Sequence, residues 1–208
     1  MQTQDLTPDL VHGHQVLAAA VVVAAKHHGA QVRKGTRTPY ISHLLQVSGM
    51  VLEFGGGLVE AAAGVLHDIL EDTGIGFDLL EEEMESNAPG NPLITPVLSL
   101  VQDCTDTSEG QAGQEKEPWM VRKTRHLEHL GSVSQQAALV IACDKLHNLR
   151  CQVADLEATG QTIKFNAPTS SRVWVHLRTM EIIGHQLPHG LRQALTATQN
   201  RWLSLLNL

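Results

Sequence analysis

Three cysteines in 208 residues, with no CxxC spacing among them, are too few and too irregular for a disulfide framework or a thiolate zinc site. Cys104, Cys143 and Cys151 read as reduced thiols. Positive charge is also scarce, since 15 Lys and Arg stand against 22 Asp and Glu for a formal net charge of −7. A nucleic-acid polymer needs a basic face to neutralise its phosphates, so that partner class is excluded, and an anionic ligand must be met by local charge. The longest apolar run, Val16 to Ala25, is too short for a bilayer span and has no Lys or Arg before it. This argues against a membrane segment or signal peptide and for a cytoplasmic protein. Alternating strand patterns are missing as well, which leaves an all-α chain.

At 42% hydrophobic residues the chain has the composition of an ordinary globular domain, and residues 1–208 read as one domain. Its most informative stretch is His67-Asp68-Ile69-Leu70-Glu71-Asp72-Thr73-Gly74, at the end of the apolar run Leu58 to Leu66. Helical spacing predicts one helix here, with Glu71 a turn beyond His67 and Asp72 a turn beyond Asp68. Acids at a helix C-terminus oppose the macrodipole, and such crowding of carboxylates is costly without a cation.

Thr7-Pro8-Asp9 predicts a helix start, followed by helical patterns to about His28 and from Ile41 to about Phe54. Between them Gln31 to Thr38 is a polar loop with three cations, including Arg33 and Lys34, a positive lip in an acidic protein. Phe77 to Glu85 predicts an acidic helix, and Leu93 to Cys104 a kinked helix or one starting near Thr95, because Pro96 lies inside it. Thr107 to Pro118 reads as a polar flap, Trp119 to Leu130 as a helix carrying Arg122 and Lys123, and Gln135 to about Ala158 as a core helix. In that core helix Asp144 interrupts an apolar stretch, with Asn148 one turn on, and a carboxylate there demands a cation or several hydrogen bonds. Ser171 to Leu187 and Leu191 to Leu206 complete the helices. Twelve histidines pose the question of which bind metal.

Three separate predicted helices carry His43, His67 with Asp68, and Asp144, which make a mixed N/O set suited to manganese, with iron or zinc also open. The chain resembles the HD-domain metal-dependent phosphohydrolases, whose pattern is a distant His, a His-Asp pair and a distant Asp. More narrowly it resembles the hydrolase domain of RelA/SpoT-type alarmone enzymes and the stand-alone small alarmone hydrolases. Arg33-Lys34 with Pro39-Tyr40-Ile41-Ser42-His43 resembles the RK…PYxxH block, and His67 to Thr73 the HDxxEDT block. Thr105-Asp106, Arg122-Lys123 and Asp144 to Arg150 follow in the family's order, over about residues 10 to 190. Leu44 departs from the Pro usual after the first His, and Cys143 from a usual Ala.

The resemblance implies an HD-type helical bundle with Mn²⁺ held between helices by His43, His67, Asp68 and Asp144. It implies that Glu71 and Asp72 position and deprotonate water, that Arg33, Lys34 and Lys123 hold phosphates, and that Asn148 contacts the nucleotide. Trp174 is a candidate aromatic beside the nucleoside. The implied reaction removes the 3′-pyrophosphate of guanosine tetra- or pentaphosphate. An HD-type hydrolase of another nucleotide, such as an adenine alarmone, the NADPH phosphate or a nucleoside monophosphate, is the alternative, and a non-catalytic alarmone-binding module a third. A homo-oligomer stays open.

Overall fold

The computed structural model describes residues 7–105, 117–161 and 167–208. Among the described residues there are ten α-helical segments and one 3-10 turn, and the only β-type pairing is an isolated bridge between Val32 and Pro39. The helices are α1 Pro8–His27, α2 Ile41–Glu53, α3 Leu58–Leu66, α4 Ile69–Asp72, α5 Phe77–Asn87, α6 Ile94–Cys104, α7 Trp119–His129, α8 Gln135–Thr159, α9 Thr169–Ile183 and α10 His189–Leu205. The all-α reading agrees with this architecture.

Helix α3 is the hub. Ala61, Ala62, Ala63, Gly64, Val65 and Leu66 are all fully buried, because α1, α2, α6 and α8 pack around it. Small side chains permit that crowding, and at Gly64 the approach is close enough that an added Cβ would stand 3.4 Å from Ser48 Cα on α2. Helix α1 is long and apolar enough, by length and composition, to cross a bilayer, although its continuous apolar run is shorter. Its stripe of Val16, Ala19, Ala20, Val23 and Ala24 is buried in the core, which accounts for those residues.

The start of α1 follows the sequence, with the Thr7 side chain accepting from the Leu10 N–H at 3.3 Å and Pro8 in the first turn. Helix α6 begins at Ile94, so Pro96 falls in its first turn, where a missing N–H costs nothing. Helices α9 and α10 start two residues earlier than the periodicity suggests, because Pro168 and Pro188 occupy their N-caps and the helix can begin directly after each. The expected single helix from Leu58 to Asp72 is interrupted at His67 and Asp68. Helical hydrogen bonding resumes only with Asp72 N–H to Asp68 O at 3.0 Å.

The polar lip between α1 and α2 is held closed by its own backbone. Arg33 N–H donates to Thr38 O at 2.8 Å and Tyr40 N–H to Gln31 O at 2.9 Å, with Gly35 taking the left-handed turn position at φ 77°. A smaller apolar cluster of Leu149, Leu156, Val173 and Trp202 joins α8, α9 and α10.

Candidate active site

His43 sits in the first turn of α2, His67 and Asp68 at the α3–α4 break, and Asp144 in the middle of α8. His43 is 0% exposed, His67 5% and Asp144 7%. His43 Nε2 lies 3.3 Å from Asp144 Oδ1 and 3.6 Å from Asp68 Oδ2, while His67 Nε2 lies 3.0 Å from Asp68 Oδ2 and 3.6 Å from Asp144 Oδ1. His67 and Asp68 both keep right-handed helical dihedrals through the break, and the reach of their side chains brings Nε2 and Oδ2 together.

Among the described residues both Nε2 atoms are buried without a hydrogen-bond partner, despite the carboxylates so near them. Donor atoms that approach one another without aligning as hydrogen bonds face a common point, and those of His43, His67 and Asp68 lie within 4.8 Å of one another. Two imidazoles and two carboxylates fit a borderline-hard divalent metal. The remaining ring nitrogen of His67, Nδ1, donates to Gly64 O at 2.9 Å, which leaves the Nε2 lone pair facing the centre.

The carboxylates are tied from behind. The Tyr40 hydroxyl donates to Asp68 Oδ2 at 2.5 Å, Lys145 Nζ to Asp144 Oδ2 at 2.8 Å, and Asn148 Nδ2 to Asp144 Oδ1 at 2.5 Å. Burial by itself would raise the Asp68 and Asp144 carboxyls. The positive charge of His67 beside Asp68, and of Lys145 beside Asp144, outweighs it and holds both well below the usual range. His67 shows the counterpart: burial lowers it, yet the two carboxylates carry it well above its ordinary value. Each shift expresses the same demand of a buried and a partly buried carboxylate for positive charge, which protons supply here and a divalent cation would replace. Burial, then the charges of Asp68 and Asp72, push the Tyr40 phenol up, so it stays a donor.

A cavity of about 50 Å³ lies against His67, Asp68 and Asp144 and is also lined by Glu71 and Lys123. That is room for about one or two waters. It shares Glu71, Lys123, His126 and Lys145 with a cleft of about 810 Å³, a volume suited to a nucleotide. Arg33, Lys34, Lys123 and Asn148 all line this cleft, as does Asp72, whose Oδ2 accepts from Gln31 Nε2 at 2.9 Å. Arg33 Nη2 donates to Asn148 Oδ1 at 2.9 Å, so one chain of hydrogen bonds runs from the lip through Asn148 to Asp144.

All ten site residues expected from the sequence thus gather at one centre and its adjoining cleft. Trp174 does not. It is 43% exposed, whereas Arg172, Val175, His176 and Thr179 are the α9 residues on the cleft. Two residues from both Arg172 and His176, at about 100° per residue, it points to the opposite side of the helix. Tyr40, Lys145 and His147 went unassigned in the sequence although the motifs contain them, and the i, i+4 pair Arg172 and His176 was the available signal for the α9 face. Cys104 reaches the small cavity, but burial first and then Asp103 push its thiol up, away from a nucleophile's range. Asp106 and residues 107–116 of the expected flap lie outside the described residues.

The model of the HD domain family matches residues 20–181, and the chain belongs to that family. It is 34% identical over 138 residues to the guanosine-3′,5′-bis(diphosphate) 3′-pyrophosphohydrolase MESH1 of Xenopus tropicalis, covering 65% of this chain and 68% of that one. The human MESH1 is 33% identical over 138 residues with the same coverage. A probable GTP pyrophosphokinase of Mycobacterium leprae is 28% identical over 137 residues, 65% of this chain but 16% of its own length. A solved structure of a metazoan ortholog of SpoT that hydrolyzes ppGpp superposes with a TM-score of 0.69 at 22% identity, over 96% of this chain and 98% of that chain, and shares the fold. Within the HD domain family the chain is thus an enzyme of the MESH1 pyrophosphohydrolase type.

Proposed function

We propose that this enzyme hydrolyses the 3′-pyrophosphate of guanosine tetra- or pentaphosphate, giving pyrophosphate and GDP or GTP, with Mn²⁺ held by His43, His67, Asp68 and Asp144. The observation that carries the reading is the union of two features at one place. Two buried imidazole Nε2 atoms and two carboxylates face a common centre, and the cleft beside it gathers Arg33, Lys34 and Lys123 in a chain of net charge −7. The MESH1 relatives, named for this reaction, support it.

A divalent metal there supplies Lewis-acid activation of water and of a phosphate oxygen. Glu71, on the wall shared by the small cavity and the cleft, takes the proton of the attacking water as general base. Asp72, steadied by Gln31, assists in orienting that water. The water oxygen bonds to the phosphorus nearest the ribose, the bond from that phosphorus to O3′ breaks, and the sugar oxygen regains a proton. Arg33, Lys34 and Lys123 bind the oxygens of the departing pyrophosphate, and Asn148 contacts the nucleotide. The free thiols Cys104, Cys143 and Cys151 and an intracellular nucleotide substrate accord with a cytoplasmic enzyme.

The test incubates manganese-loaded protein with guanosine 3′-pyrophosphates, adenosine 3′-pyrophosphates and NADPH, and separates the products by chromatography. Release of pyrophosphate from the guanosine substrates at the highest kcat/KM is expected. Preferred turnover of an adenine substrate would transfer the same machinery to another nucleotide.

A further inference from the structure

Among the described residues, the second nitrogen of His43 meets another side chain, whereas that of His67 meets a backbone carbonyl. The His43 Nδ1 stands 2.8 Å from Nδ1 of His147, across the α2–α8 contact, with ring centroids 4.7 Å apart. His43 is fully buried and His147 is 6% exposed. At that separation the two nitrogens cannot both carry protons, and they cannot both present lone pairs. One donates and the other accepts.

The direction follows from the far side of the His43 ring. Its Nε2 points at Asp144 Oδ1 and Asp68 Oδ2 with no hydrogen-bond partner among the described residues. For Nε2 to present a lone pair to a cation, the ring proton must be on Nδ1, and His147 Nδ1 must then be the acceptor. His147 keeps its own proton on Nε2. The reverse arrangement puts a proton on His43 Nε2 and closes that position to metal.

We infer that His147 is a positioning residue for the metal centre, one that fixes the tautomer and ring plane of His43 by accepting the Nδ1 proton. This rests on His43 being a metal ligand, as proposed above. The two imidazole ligands are then set differently: His67 by a backbone carbonyl of the helix it caps, Gly64 O of α3, and His43 by a side chain three residues beyond Asp144 on α8. The helix that supplies one ligand thereby orients a second ligand on another helix. Loss of such an orienting partner costs a metal site roughly 10- to 100-fold in affinity.

The experiment measures manganese affinity of the full chain by chelator competition. His147→Phe keeps the ring's bulk but accepts nothing, and is expected to bind roughly 10- to 100-fold more weakly. His147→Asn places an amide oxygen near the position of Nδ1 and is expected to stay within a few-fold of the unsubstituted protein, on the order of 1 kcal/mol or less. A purely space-filling role predicts the opposite order, with Phe tolerated and Asn damaging. Unchanged affinity in His147→Phe, or equal loss in both variants, overturns the inference. A second measurement needs no substitution: two-bond ¹H–¹⁵N spectra of the zinc-loaded protein, zinc serving as a diamagnetic probe. They should show His43 protonated at Nδ1 and His147 at Nε2, and a proton on His147 Nδ1 overturns the assignment. A chain that binds neither manganese nor zinc overturns the metal centre itself, whereas tight binding indifferent to residue 147 overturns the positioning role alone.

Discussion

Glu71 borders both the small cavity against the carboxylates and the cleft, so a water held at the centre and a phosphate entering from the cleft meet beside it. Replacing it with Gln keeps shape and hydrogen-bonding capacity but removes the base. Glu71→Gln is therefore expected to retain manganese while turnover falls by roughly 10²- to 10⁴-fold. Elemental analysis alongside kcat decides this, and near-normal turnover would transfer the proton work to Asp72. His43→Ala and Asp144→Ala should behave in the opposite way, losing metal and activity together, because each removes one of four donors supplied from different elements. Full occupancy in either variant rules that ligand out. Asp144 and the cluster from His67 to Asp72 are legible because a carboxylate inside an apolar helix and acids crowded at a helix end both violate local rules, and violations mark sites, whereas His43 is legible only through the family pattern. Tyr40, Lys145 and His147 violate nothing. Their roles arise from what stands opposite them, Asp68, Asp144 and His43, and those neighbours are set by packing rather than by sequence spacing.

At the scale of elements, periodicity and capping residues place the helices, but hydrogen bonding decides where they break. The interruption between α3 and α4 was invisible because Leu58 to Asp72 keeps an unbroken apolar period, while His67 gives its Nδ1–H to Gly64 O. The lip is another element whose composition was legible and whose conformation was not, since its closure depends on backbone pairing between Arg33 and Thr38. It bears on substrate choice. A 3′-pyrophosphate carries more charge than one metal can neutralise, so the Arg33→Ala, Lys34→Ala double variant should lose kcat/KM severely on guanosine 3′-pyrophosphates. Its metal content and slow hydrolysis of a simple phosphate ester should change little. Equal loss on both substrates would show that the lip does not read the pyrophosphate. The α9–α10 contact carries a pH dependence of its own. His176, hydrogen-bonded to Gln199 at 3.0 Å, is pushed down to about 4, chiefly by burial. It stays neutral in the fold while the unfolded chain protonates near 6.5. Its contribution is complete above that value and is lost as pH falls from 6.5 toward 4. Denaturant unfolding at pH 7 and pH 5 should show the unsubstituted protein losing about 2 kcal/mol more than His176→Gln. Equal losses would show that His176 does not titrate in this window.

For the molecule as a whole, the proposed metal centre is a cross-link as well as a reaction site. The four donors come from α2, the α3–α4 break and α8, elements far apart in sequence that all border the buried hub helix. Without a cation, one buried and one partly buried carboxylate are compensated by a protonated imidazole and by Lys145, an arrangement whose desolvation cost is substantial. A divalent ion binds the folded chain and finds no such assembled site in the unfolded one, so by mass action it stabilises the fold by about 2.7 kcal/mol when present at about 100 times its dissociation constant. For a chain of this length each kcal/mol is worth roughly 2–4 °C in Tm. Stripping the metal with a chelator should therefore lower Tm by roughly 5–10 °C, and manganese should restore it in a concentration-dependent way. Asp144→Asn should start from a Tm at or below that of the stripped protein, since Lys145 and His67 lose the charge that compensates them, and should respond to neither chelator nor manganese. A thermal midpoint indifferent to manganese in the unsubstituted chain, or a full response in Asp144→Asn, would mean that the ion does not join these three elements through Asp144.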